Sequence, residues 1–200
     1  MSRCAVAGPA RASASAPSLR PVPSYVALLR GINLGPRRRL AMADLRTALE
    51  GLGYDDVRTH LQSGNAVFRT GTRSATAVKK AVEGAVSAAA GFDVDVVVRT
   101  SAQLAQLVTA DPFGGVATDP ARYLVVFLDR APAKRWLAEL DLDAFAPEQL
   151  AVYRNHLVLW LPHGVHASKL AARAADSKAG GAATARNWKV VTKLAQLAAT

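Results

Sequence analysis

Three short segments hold most of the residues able to bind a ligand or act on one. The first is Arg30-Gly31-Ile32-Asn33-Leu34-Gly35, which runs through Pro36 into Arg37-Arg38-Arg39. The second is Gln62-Ser63-Gly64-Asn65, and the third is Thr184-Ala185-Arg186-Asn187-Trp188. Arginine beside glycine suits phosphate, because a guanidinium donates in a fork and glycine lets backbone N–H groups approach an anion. Gly31 and Gly35 nevertheless match neither G-x-x-x-x-G-K-[ST] nor G-x-G-x-x-G, so no nucleotide-hydrolase fingerprint stands here. The arginine run precedes a helix expected from Ala41, where the macrodipole disfavours cations and a bound anion would relieve the conflict. A solvated basic loop explains the same residues and is the commoner case.

The amides and hydroxyl of Gln62, Ser63 and Asn65 can serve a ligand, yet each residue type also suits a tight turn around Gly64. Arg186 and Trp188 can clamp a planar anionic ligand. The plainer reading has Thr184 capping the closing helix and Trp188 packed at a domain junction. His163 and His166 lack a third ligand, and the single cysteine, Cys4, offers neither a disulfide nor a thiolate zinc site, so no metal or cofactor is expected. Ser63 is outside any G-x-S-x-G elbow, His60 has no acid or nucleophile partner in sequence, and Asp55-Asp56 read as a solvated turn. No catalytic constellation is readable.

Elements must bring these segments together. Ser24 to Arg30 is an apolar run between Pro23 and Gly31, a strand. Met42, Leu45, Leu49 and Leu52 recur at helical spacing before Gly53. Val57 to Leu61 and Ala66 to Arg69 flank Gln62 to Asn65 as a β-hairpin, a helical stripe from Val78 to Ala89 ends at Gly91, and Val94 to Arg99 is another strand. The order β-α-β-β-α-β is the split βαβ, ferredoxin-like arrangement, an α+β fold with a largely antiparallel sheet and helices on one face. Right-handed crossovers make its first two strands parallel with the third between them, so the Gly31 loop and the Ser63 turn should be neighbours.

A short helix from Ser101 to Val108 precedes DPFGGVATDP, the expected boundary between subdomains 24–110 and 111–200. Arg122 to Leu128, Pro132 to Leu140, the hairpin around Asn155, and His166 to Ala175 repeat the order β-α-β-β-α, so the chain reads as two ferredoxin-like subdomains. Residues 176–183 read as a flexible loop and Asn187 to Ala199 as the closing helix. No residue-level repeat between the halves is evident. Residues 1–23 read as a disordered tail, acid-free and rich in Ala, Ser, Pro and Arg.

Lysine and arginine exceed the acids by 25 to 15, a net charge of +10 that favours a phosphorylated ligand or nucleic acid. The longest apolar runs are strand-length, so no membrane span is expected. One cysteine agrees with a reducing, cytoplasmic setting.

YVALLRGINLG, DLRTALEGLGYDDVRTHLQSGNAVF and TARNWKVVTKLAQLA together resemble the bacterial family of domain of unknown function 1697, over about Ser24 to Ala198. The resemblance implies a cytoplasmic two-part α+β protein of ferredoxin-like character, with no established activity. It carries over Arg30, Gly31, Asn33, Gly35, Gln62, Ser63, Gly64, Asn65, Thr184, Arg186, Asn187 and Trp188 as site candidates. Pro36 with Arg37 to Arg39, and Ala185 where a second threonine is usual, depart from the pattern. The expected function is a binding module for a phosphorylated ligand or nucleic acid. The alternatives are an enzyme acting on a small phosphorylated substrate and a protein-interaction scaffold.

Overall fold

The computed structural model describes residues 22–176 and 178–200; the tail read over 1–23 lies outside the described residues up to position 21. The first sheet holds β1 (Ser24–Leu29), β2 (Asp55–His60), β3 (Asn65–Arg69) and β4 (Val96–Thr100) in the order β2-β3-β1-β4. Helices α1 (Met42–Glu50) and α2 (Ala75–Ala90) connect them, and α3 (Ser101–Ala110) follows β4 directly. The second sheet holds β5 (Tyr123–Leu128), β6 (Gln149–Tyr153), β7 (His156–Trp160) and β8 (Ala183–Asn187) in the order β6-β7-β5-β8. Its helices are α4 (Lys134–Ala138) and α5 (Lys169–Ala174), with α6 (Trp188–Ala199) following β8. Both sheets are antiparallel. The fold is α+β, built from two ferredoxin-like halves.

Strand β5, and β1 from Tyr25 onward, are hydrophobic because both of their faces are buried. Tyr25, Ala27 and Leu29 face α1 and α2 with Leu45, Leu49, Val78, Val82 and Val86. Val26 and Leu28 face the other way, into a core shared with Val125 and Phe127 of β5, Leu104 and Leu107 of α3, and Val191 and Leu194 of α6. A third cluster joins Leu124, Val126 and Leu128 to Trp136 of α4 and Leu170 of α5. The trailing helices thus pack with the inner sheet faces, while the crossover helices cover the outer ones.

Two sequence expectations are corrected. Ala183 to Asn187 form strand β8, paired from Leu128↔Ala183 to Leu124↔Asn187, where the sequence reads as loop and cap. Small and polar residues carry little strand propensity, and the ladder along β5 overrides it. The cap of α6 is Asn187, whose Oδ1 accepts from the N–H of Val190 at 3.0 Å, and not Thr184.

The strand pairing adds an equivalence of positions between the halves that the residue types do not show. Val26 lies opposite Arg99, and Val125 opposite Arg186. Leu28 lies opposite Asn65, and Phe127 opposite His156. Tyr25 faces Thr100 and Leu124 faces Asn187, and both Thr100 and Asn187 end an edge strand while capping the helix that follows. The halves therefore repeat residue by residue at their junction, although the residue types differ enough to hide it.

Candidate functional site

Two buried arginines bolt the halves together by the same geometry. Arg99 reaches from β4 into the second half: Nε donates to Nε2 of His156 at 3.0 Å, Nη2 to the carbonyls of Leu128 and Asn155, and Nη1 to Val98 O at 2.8 Å. Arg186 reaches back from β8. Its Nε donates to Oδ1 of Asn65, its Nη2 to Leu29 O at 2.9 Å and Ser63 O at 2.8 Å, and its Nη1 to Thr184 Oγ1 and Ala185 O at 2.8 Å each. The Thr184 hydroxyl donates to Leu29 O at 3.2 Å. Burial pulls both guanidiniums down to about 10, so they stay charged near neutrality.

His156 matches this arrangement. Its Nδ1 lies 2.9 Å from Tyr153 O, to which it donates, leaving Nε2 as the acceptor for Arg99. Burial, reinforced by the Arg99 charge, pushes its pKa down to about 4, and the imidazole is neutral.

The first loop is organised by Asn33, which adopts φ 54°. Its Nδ2 donates to Leu40 O at 3.0 Å and Gln62 O at 2.7 Å, while its Oδ1 accepts from the N–H of Leu40 at 3.0 Å. This ties the loop to the hairpin turn and places the Gly31 loop and the Ser63 turn side by side, as the topology predicts. Arg38 lies across the loop, its Nε on Gly31 O at 2.9 Å, its Nη2 on Asp93 O at 2.7 Å, and its guanidinium over the Phe92 ring. Gly64 is pinned: at φ +73° an added Cβ would stand 2.7 Å from Leu29 Cβ and 2.8 Å from Ile32 Cδ1. No side chain fits there.

Where these pieces meet, a groove of about 1010 Å³ opens. Leu29 to Ile32, Arg38, Ser63, Asp93, Asp95 and strand β8 line it. Of the sequence candidates, Arg30, Gly31, Ser63, Thr184, Arg186 and Asn187 reach its wall. Asn33, Gly35 and Gln62 border a smaller cavity of about 360 Å³ with Pro36 and Arg39. Gly64 and Asn65 lie behind the wall, and Trp188 stacks on Tyr123 at 4.3 Å in the central core. Arg186 is only 8% exposed and its donors are committed to protein oxygens, so the accessible cations on the groove are Arg30 and Arg38. Arg30 Nη1 pairs with Asp95 at 3.2 Å, which leaves the rest of its fork turned to solvent.

Residues 22–157 match the family described as protein of unknown function DUF1697. The chain belongs to that family. The DUF1697 fold recurs in the solved structure of conserved bacterial protein SP0830 from Streptococcus pneumoniae. That chain is 20% identical to this one, with a TM-score of 0.67 over 90% of this chain and 100% of its own, a likeness of fold. No curated protein matches this DUF1697 chain.

Sequence reasoning weighed Arg38 only as one of the Arg37 to Arg39 run, and missed Asp93, Asp95, Arg99 and His156. The DUF1697 halves superpose Arg99 on Arg186 and Asn65 on His156 by strand register. No pattern in the sequence marked the last two, because the equivalence of the halves shows only in the strand pairing.

Proposed function

We propose that the protein is a cytoplasmic binding module for a small phosphorylated molecule, held in the groove between the Gly31 loop and β8. The observation that carries this reading is the convergence of three sequence-distant segments around one groove with Arg30 and Arg38 on its wall. Exposed guanidinium beside free backbone donors is phosphate-binding chemistry. The net charge of +10 attracts an anion from a distance. The nucleic-acid form of the reading is weaker here. Ferredoxin-like RNA readers stack bases on aromatics of an open sheet face, whereas Tyr25, Phe68, Tyr123 and Phe127 are buried on faces covered by helices or by the other half. Among the described residues no helix is long and apolar enough to cross a membrane.

Thermal denaturation against a panel of phosphorylated metabolites tests the proposal. A true ligand at about 100-fold its Kd adds about 2.7 kcal/mol, or about 5–10 °C for a chain this size. Arg30→Ala should remove most of that shift. A panel that leaves Tm unchanged, alongside salt-sensitive binding of mixed-sequence RNA, would replace this reading with the nucleic-acid one.

A further inference from the structure

The internal repeat contains two copies of the groove, and one is already filled. The N–H of Arg30 donates to Asp95 O and that of Asp129 to Ala182 O, both at 2.9 Å, so Arg30 and Asp129 are equivalent. The residues that open the edge strands, Val96 in β4 and Ala183 in β8, are equivalent too. In that ladder their backbone groups point away from the sheet. Each strand lies at a sheet edge with one neighbour.

At Val96 the protein answers its own need. The N–H of Val96 donates to Glu83 Oε1 of α2 at 3.0 Å, and Lys79, 3.7 Å from Glu83, bonds Asp129 at 2.7 Å. A carboxylate thus sits on the outward N–H and an ammonium on the neighbouring acid. At Ala183 no side-chain acceptor is present among the described residues. Helix α5 stops at Ala174 after 6 residues, against 16 in α2, so it has no turn equivalent to the one bearing Glu83. The charge beside the open position is also inverted, with Arg30 where the filled copy has Asp129.

We infer that the ligand of the open groove places a single anionic group where Glu83 sits in the filled copy, on the outward N–H of Ala183 and against the free side of the Arg30 guanidinium. The inference deepens the phosphorylated-ligand reading and rests on it for the nature of the anion, a phosphate monoester. Asp93 and Asp95 on the same wall repel a polyphosphate, and they offer acceptors to a donor elsewhere on the ligand. The filled copy leaves room for one ligand per chain.

The test is amide NMR of the full chain during titration with inorganic phosphate, acetate, and adenosine mono- and triphosphate. The Ala183 amide should shift saturably with phosphate and more tightly with the monophosphate, while Val96 stays still. Arg30→Ala should weaken binding about tenfold, the scale of one charge-assisted hydrogen bond. Monophosphate binding that leaves Ala183 still, or that ignores Arg30→Ala, overturns the seat and leaves the phosphorylated-ligand reading standing. A response of Ala183 to acetate alone keeps the seat and overturns that reading. Tighter binding of the triphosphate overturns the single-anion assignment, and silence in every titration overturns both.

Discussion

His156 and Asn65 occupy equivalent places, each accepting a hydrogen bond from a buried arginine, but only the histidine titrates. Its folded pKa of about 4 lies below the unfolded value of 6.5, so the unfolded chain binds the extra proton first. The stability that neutral His156 contributes is complete above pH 6.5 and is lost as pH falls toward 4, by about 3 kcal/mol. Urea denaturation across that range should show the loss. His156→Asn, which copies the other half, should flatten the part of the slope that belongs to this residue while keeping an acceptor for Arg99. Gly64 makes a second demand on one position. Gly64→Ala should cost about 2 kcal/mol or more, since it adds an unfavourable φ to contacts under 3 Å with Leu29 and Ile32. An unchanged denaturation midpoint would show that the turn can move.

At the scale of elements, β8 shows how far local sequence carries and where it stops. The apolar strands β1, β4, β5 and β7 and the long helix α2 follow from hydrophobic pattern and punctuation. Strand β8, Ala-Thr-Ala-Arg-Asn, has no such pattern, and only its ladder with β5 makes it a strand. Its Arg186 stood out in sequence as a ligand-binding candidate but not as a staple, because in sequence a guanidinium that staples carbonyls looks the same as one that waits for an anion. Arg186→Ala orphans Ser63 O and Asn65 Oδ1 and leaves Leu29 O only the Thr184 hydroxyl, and should cost about 3 kcal/mol or more. Arg186→Lys should rescue little, because one ammonium cannot span oxygens arranged for a planar fork. Full recovery of the urea midpoint by lysine would contradict the staple.

At the scale of the whole molecule, the two halves share one core. Val26, Leu28, Val67 and Val97 from the first and Val125, Phe127 and Val158 from the second bury each other with α3 and α6. Separated at the loop between Ala110 and Tyr123, each half would expose a broad apolar sheet face. Residues 22–110 and 111–200 expressed apart should therefore aggregate or stay unfolded, and co-expression should restore a soluble pair. Soluble, folded single halves with dispersed NMR spectra would refute that dependence.

Sequence alone determined the α+β class, the ferredoxin-like order of each half and the adjacency of the Gly31 loop and Ser63 turn. Those depend on periodicity, on turn chemistry and on the handedness of crossovers, all of which act locally or through topology. The tertiary structure decided which arginines are buried staples and which stay exposed, that β8 is a strand, and that Glu83 and Lys79 occupy the counterpart of the groove at Val96 and Asp129. Each of these depends on contacts between residues 50 or more positions apart, such as Lys79 with Asp129 and Arg186 with Asn65, or on the length of one helix relative to its counterpart. Local pattern carries no record of either.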